Sequence, residues 1–231
     1  MKTRSSSLCV SITALIVMPL SLYCDTIVFQ WNAIDRIAKK PVIISSEALA
    51  AQPSAGILPM SVCSTNTGAP IVFMVGPSEK DAHGIILAPT SPLTVGSGEE
   101  VRFRVNAMNA TGTNGWKSIG FNVKNDKYTV GFNCNPAAGT FKPQVTVSTF
   151  SPTYKSHCGV TPLVFPCTLR IQRIDGKLRF GIDTKLLVEI AESAGPCTSI
   201  AIDTVLQSRN DAAAVEIVGV KIAKAVDLSM Q

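Results

Sequence analysis

His157 and Cys158 stand side by side in this 231-residue chain. An imidazole beside a thiol could draw off its proton and leave a nucleophilic thiolate. The same pair also reads as a disulfide cysteine with a loop histidine next to it. The compartment decides between the two, and an oxidising one favours the disulfide. The other histidine, His83, follows Glu79-Lys80-Asp81-Ala82 in a polar stretch between two apolar runs. That stretch reads as a solvated turn or as a presented binding loop. The two histidines are far apart and there is no Cys-x-x-Cys, so no metal is expected. There is no Gly-x-Ser-x-Gly elbow, phosphate-binding glycine loop or His-Glu-x-x-His. The expectation is therefore a binding protein without catalytic residues or cofactor.

The N-terminus sets the compartment. Lys2 and Arg4 are followed by a nearly unbroken apolar run from Leu8 to Leu22 and by a short polar exit at Tyr23-Cys24-Asp25. This is the build of a secretory signal peptide over residues 1–24. The run is shorter than a bilayer span requires, so no membrane span is expected after cleavage. Removing Lys2 and Arg4 takes the net charge from +5 to +3. With no basic cluster beyond Lys39-Lys40, nucleic acid is not an expected partner.

A secreted chain should pair its cysteines. Cys9 leaves with the signal. Cys63, Cys134, Cys158, Cys167 and Cys197 remain, and Cys24 too if cleavage falls after Ser21. Without Cys24 one thiol stays free. Spacing does not fix connectivity. Closeness along the chain favours Cys134 with Cys158, and Cys167 with Cys197 would tie a hairpin to the C-terminal segment.

These groups must be carried by strands. Hydrophobic residues make up 46% of the chain and charged residues 16%, enough for a sizeable core. Glycines and prolines are spread evenly and punctuate short apolar segments, the spacing of many strands joined by turns. In Glu100-Val-Arg-Phe-Arg-Val105 the apolar residues alternate with arginines, as in a strand with one face buried. Further strands are expected at 26–34, 41–44, 70–75, 84–87, 92–95, 118–123, 127–132, 144–148, 167–174, 177–182 and 186–190. Asn125-Asp126 and Asp175-Gly176 are hairpin turns. Ser45 to Ala51 could form one helical turn. Residues 106–115 read as a loop, with Asn109-Ala-Thr111 an N-glycosylation sequon in it. The expected organisation is an all-β domain over residues 25–195, followed by an extension over 196–231. In that extension Val215, Ile217, Val220 and Ile222 suit strands broken at Gly219, while the alanines suit a helix.

Several segments, taken in order, resemble the Kunitz-type plant protease inhibitors related to soybean trypsin inhibitor. They are Cys63 with Gly68-Ala-Pro-Ile-Val-Phe73, Thr90-Ser-Pro-Leu-Thr-Val95, Trp116, and Phe121-Asn-Val-Lys124. Tyr128-Thr-Val-Gly-Phe-Asn-Cys134, Cys158-Gly159, Gly176-Lys-Leu-Arg-Phe-Gly-Ile182 and Leu187-Val-Glu-Ile190 follow. The resemblance spans about residues 63–190. The family's N-terminal Tyr-Tyr-x-Leu-Pro is absent, as is a cysteine between Gly98 and Trp116. The resemblance implies a β-trefoil and a serine protease as partner, held by a preorganised loop. By position the loop is Gly76 to Gly84, with Lys80 entering a trypsin-like specificity pocket and Asp81 beyond the scissile bond. The competing expectation is a β-sandwich adhesion, pilus or assembly module, in which an exposed strand edge would bind a protein partner. Three similar units of about 50 residues would mark the trefoil, and two stacked sheets the sandwich.

Overall fold

Alternation at a period of two decides which side chains meet. In one long strand Val101, Phe103 and Val105 are fully buried while Arg104 is exposed; in another Ile119, Phe121 and Val123 are buried while Lys124 is exposed. Such strands each bring one apolar face, and two sheets of them bury those faces against each other. The computed structural model describes residues 26–27, 31–42, 44–45, 61–63, 71–75, 83–91, 93–111, 117–135, 143–191 and 199–229.

The regular elements among them are strands: β1 (Thr26–Ile27), β2 (Trp31–Asp35), β3 (Pro41–Val42), β4 (Ile44–Ser45), β5 (Ser61–Cys63), β6 (Ile71–Val75), β7 (Ile85–Pro89), β8 (Glu99–Thr111) and β9 (Lys117–Lys124). The chain continues with β10 (Thr129–Asn135), β11 (Gln144–Ser151), β12 (Lys155–Ser156), β13 (Thr161–Pro162), β14 (Cys167–Ile174), β15 (Lys177–Ile182), β16 (Lys185–Ala191), β17 (Ser199–Leu206) and β18 (Ala212–Lys224). The first sheet runs β16-β15-β14-β8-β18-β6-β5-β4, with β1 also on β18. The second runs β12-β11-β10-β9-β17-β7-β2-β3, with β13 also on β11. Neighbours are antiparallel, except that β4 and β5 are parallel.

The sheets face each other across one core. Phe103 of the first meets Phe121 of the second edge-on with ring centroids 5.3 Å apart, and Phe180 meets Phe132 in the same way at 5.5 Å. All four rings are fully buried, each contributing about 1.5–3 kcal/mol by leaving water. Two facing sheets are what the sandwich expectation requires. The trefoil expectation differs: the described strands do not sort into three similar units.

The segment expected to be an extension is central. β17 lies between β9 and β7, and β18 lies between β8 and β6, both inside their sheets. The break anticipated at Gly219 is a bulge in β18, where the pairing to β8 shifts between Ile217 and Gly219. Residues 106–111, expected as a loop, continue β8. A second shift skips Asn106, so that Met108 and Ala110 return to the core side. The strand expected at 92–95 is irregular over the described part, with Val95 buried as an anchor. Both expected turns close hairpins. Asn125 Oδ1 accepts the amides of Lys127 and Tyr128 between β9 and β10. Asp175 and Gly176 join β14 to β15 with φ of 51° and 69°, the left-handed pair a two-residue turn needs. Residues 1–24 and the proposed helical turn beyond Ser45 lie outside the described residues.

Candidate binding face

The outer side of the second sheet is built from small and polar residues. Pairing aligns Asp203, Gly120, Asn133 and Thr146 across β17, β9, β10 and β11. The next row on the same side is Ala201, Asn122, Gly131 and Ser148. Ser118, Asn122, Asn133 and Ser148 are buried although they point away from the core. They form a polar floor, and a buried polar group needs partners.

Most of the floor's groups have them. Asp203 accepts from Asn122 Nδ2 at 3.1 Å and from Arg36 Nη1 at 2.8 Å. Ser118 Oγ donates to Asn133 Oδ1. Ser148 Oγ donates to the hydroxyl of Tyr154 at 3.3 Å, and the exposed Tyr154 ring meets Phe150 edge-on. Asn122 Oδ1 is buried with no hydrogen-bond partner. Two glycines make the arrangement possible. A Cβ at Gly120 would lie 2.2 Å from Asp203 Oδ1, and one at Gly131 would lie 2.4 Å from Asn122 Oδ1 and 2.2 Å from the carbonyl of Phe121. Any larger residue would lift Asn122 and Asp203 off the sheet.

Burial raises the pKa of Asp203. The Arg36 charge and the hydrogen bonds from Arg36, Asn122 and the Gly120 amide oppose that rise without cancelling it. A folded pKa above the ordinary 3.8 means that the native state holds this proton more tightly than the unfolded chain. The contribution to stability is complete below 3.8 and is lost as pH rises through the folded value. Asp203→Asn removes the titration. Its stability relative to the wild type should therefore improve as pH is raised from below 3.8 toward neutrality, read by urea unfolding at several pH values. A pH-independent difference would show that Asp203 does not titrate abnormally.

A second polar cluster serves the fold. Lys117 Nζ lies 3.1 Å from Asp211 Oδ1, both side chains being buried. His83 Nε2 lies 3.2 Å from the Asp211 carbonyl oxygen, and His83 and Leu206 exchange both backbone hydrogen bonds at 2.9 Å. His83 is thus buried against the end of β17, and neither the solvated turn nor the presented loop describes it. Lys80 and Asp81 lie outside the described residues. Asn109 is exposed as the sequon requires, but on β8 rather than on a loop.

Cys134, Cys158 and Cys167 are free thiols here, so the favoured Cys134–Cys158 bridge is not formed. Cys63 ends β5, and Cys197 lies outside the described residues. Cys134 and Cys167 come from opposite sheets into the same core. Burial raises the Cys134 thiol well above its usual value and the Cys167 thiol to about 12; the neighbouring Cys167 adds to the first shift and Asp183 to the second. Both should resist alkylation. Cys158 is half-buried and its Sγ accepts the Val147 amide at 3.3 Å. The His157 ring turns its Nε2 to Thr149 Oγ1 at 2.8 Å. Burial, with the charge of Lys155, lowers its pKa. Iodoacetamide added to the native protein is expected to label Cys158 well before Cys134 or Cys167, by peptide mass mapping. Equal labelling of the three would contradict the burial described.

The floor residues carry one signal that could have been noticed. Ser118-x-Gly120-x-Asn122 and Gly131-x-Asn133 place glycine and a small polar residue at alternate positions facing away from the apolar set. Across strands they come together only through register. Among the described residues, no group of three or more His, Cys, Asp or Glu could hold a metal ion.

Comparison with known proteins adds the fold. No protein-family model and no curated protein matches the chain. Among solved structures the chain is similar to alginate lyase AlgAT5 from polysaccharide lyase family 7. That similarity has a TM-score of 0.51 at 11% identity and covers 86% of this chain and 96% of that one. It is also similar to LamAcat from Zobellia galactanivorans, with a TM-score of 0.47 at 11% identity over 67% of this chain and 77% of that one. A third similarity is to the exoplasmic/lumenal domain of VIP36 in its Ca2+/Man-bound form. It has a TM-score of 0.45 at 10% identity over 72% of this chain and 84% of that one. The likeness to the lyase, over nearly the whole of both chains, is one of fold.

Proposed function

We propose that this chain is an extracytoplasmic β-sandwich binding protein of jelly-roll form that takes a carbohydrate on the polar floor of its second sheet. The observation that carries the reading is the floor around Asn122: a buried amide oxygen without a hydrogen-bond partner, in a side chain that lies with Asp203 in the room left by the missing Cβ atoms of Gly120 and Gly131. Amides, hydroxyls and one carboxylate in a flat array suit a polyhydroxylated ligand, whose hydroxyls both donate and accept. Tyr154, exposed at the edge of the floor, offers a ring face for an apolar sugar face. The alginate lyase that shares the fold acts on a polysaccharide, which supports the ligand class. Binding without turnover is the favoured form, because Asp203 is the one carboxylate in the rows described and is already held by Arg36 and Asn122.

The test is calorimetric titration of the purified protein with alginate, β-1,3-glucan and mannose oligosaccharides, with a reducing-end assay on the same mixtures. Saturable binding of one glycan is expected. Asn122→Ala should weaken it about tenfold, the loss of one to two hydrogen bonds, and Tyr154→Ala should weaken it as well. Binding to none of the glycans, or equal binding by Asn122→Ala, would overturn the reading. New reducing ends would make the chain an enzyme.

A further inference from the structure

The outer face of the first sheet holds a separate cleft of about 530 Å³, lined by Arg102, Arg104, Lys221, Asp183, Thr168 and Gly219 among others. Its position follows from the bulge in β18. Pairing to β8 slips between Ile217 and Gly219, which sets Gly219 opposite Arg104. The residue facing the arginine therefore has no side chain. A Cβ placed there would meet no atom within 4 Å, so the bulge opens the space instead of filling it. Bulges of this kind re-aim side chains where a sheet meets a ligand.

The electrostatics of the cleft are one-sided. Three cations line it against one carboxylate, Asp183. That carboxylate keeps its charge and is fixed in place by the Thr168 amide, which its Oδ1 accepts at 2.9 Å. The nearby Glu100, fully buried, is shared between Arg170 and Arg102, so it does not neutralise both. Arg104 is exposed and carries no hydrogen bond or ion pair among the described residues. Arg102 is held in place by Glu100 and by the Lys224 carbonyl at 3.4 Å. One guanidinium is thus fixed and another is open, on the same side of one strand, with Lys221 paired directly across from Arg102 on β18. A guanidinium fork matches an oxyanion bidentately, and an ammonium adds a compact charge.

We propose that this cleft binds a small organic anion carrying at least two oxyanion groups, one seated on Arg104 and the other between Arg102 and Lys221. The volume lies in the range of small-molecule sites. The site is on the opposite sheet from the polar floor, so it does not depend on the carbohydrate reading. A carboxylate and a phosphate share the recognition chemistry, and two arms of the test separate them.

The experiment titrates the full chain with citrate and, separately, with inorganic pyrophosphate as the two-group phosphate at low ionic strength, followed by calorimetry, with glycerol as the neutral control. Saturable binding of either anion is expected, weakening as salt is added. Stronger binding of citrate identifies a polycarboxylate, and stronger binding of pyrophosphate a phosphorylated ligand. Arg104→Ala should weaken binding about tenfold and Arg104→Lys less. Gly219→Asp, which adds a carboxylate in open space without removing any contact, should abolish it while circular dichroism stays native. The Asn122→Ala protein should bind the anions normally. Failure of both anions to saturate the wild-type protein would overturn the proposal. So would unchanged binding by folded Arg104→Ala and Gly219→Asp.

Discussion

Replacing Glu100 with alanine is expected to lower the free energy of unfolding by about 3–5 kcal/mol, the cost of leaving a buried charge without its partner. Glu100 has no exposed surface and takes two hydrogen bonds from Arg170 Nη2, at 2.7 and 3.0 Å, one from Arg170 Nε at 3.0 Å and one from Gln172 Nε2 at 2.7 Å. Arg170 is itself buried on the outer side of the first sheet. The C-terminal segment closes over the group. The Val226 carbonyl accepts from Arg170 at 2.8 Å and from Gln172 at 2.5 Å, and Ala225 is tied to Gly98 by a backbone hydrogen bond of 2.8 Å. Removing the carboxylate therefore strands the Arg170 guanidinium beneath the irregular segment after β18, loosens that cover and takes a partner from Arg102. Urea unfolding of Glu100→Ala measures the loss. The paired change Glu100→Leu with Arg170→Met should recover part of it, because it removes the two buried charges and their desolvation cost while Arg102, the other partner of Glu100, stays charged but reaches solvent. A loss below about 1 kcal/mol would mean that the pair is solvated like a surface ion pair.

The second large effect lies in the core. Phe132→Ala is expected to cost about 3–5 kcal/mol, through lost transfer energy and the cavity that remains. Phe132 and Phe180 belong to different sheets and meet edge-on, so their coupling reports sheet-to-sheet packing. A double-mutant cycle with Phe180→Ala should give about 0.5–1.5 kcal/mol of interaction energy. Additive losses would mean that the two rings do not pack across the interface, and would count against the two facing sheets.

Much of the strand content was legible from local pattern. Val101, Phe103 and Val105 alternate with arginines, and Asp175-Gly176 marks its hairpin, because both signals act between residues close in the chain. The partners of those strands were not legible. β8 pairs with β14 and β18 and β9 with β17, so the strands joined are more than 50 residues apart in sequence. No local spacing reports such a pairing. The same limit explains the C-terminal segment: Ala212 to Lys224 is alanine-rich and suits a helix locally, yet β18 fits between two waiting edges. It explains the cysteines too. Nearness along the chain favoured Cys134 with Cys158, whereas folding places Cys134 and Cys167 in one core from opposite sheets.

The sequence by itself determined that this is an all-β chain with strands punctuated by turns, because a two-residue period sorts each strand into an apolar and a polar face before any partner is chosen. It also determined where two hairpins turn. Only the tertiary structure decided what the polar faces do. Register between distant strands set Asn122 beside Asp203 over Gly120 and Gly131, and it set Gly219 opposite Arg104. A one-residue slip would have turned each of those side chains to the other face of its sheet, so the sites exist only once the long-range pairings are made.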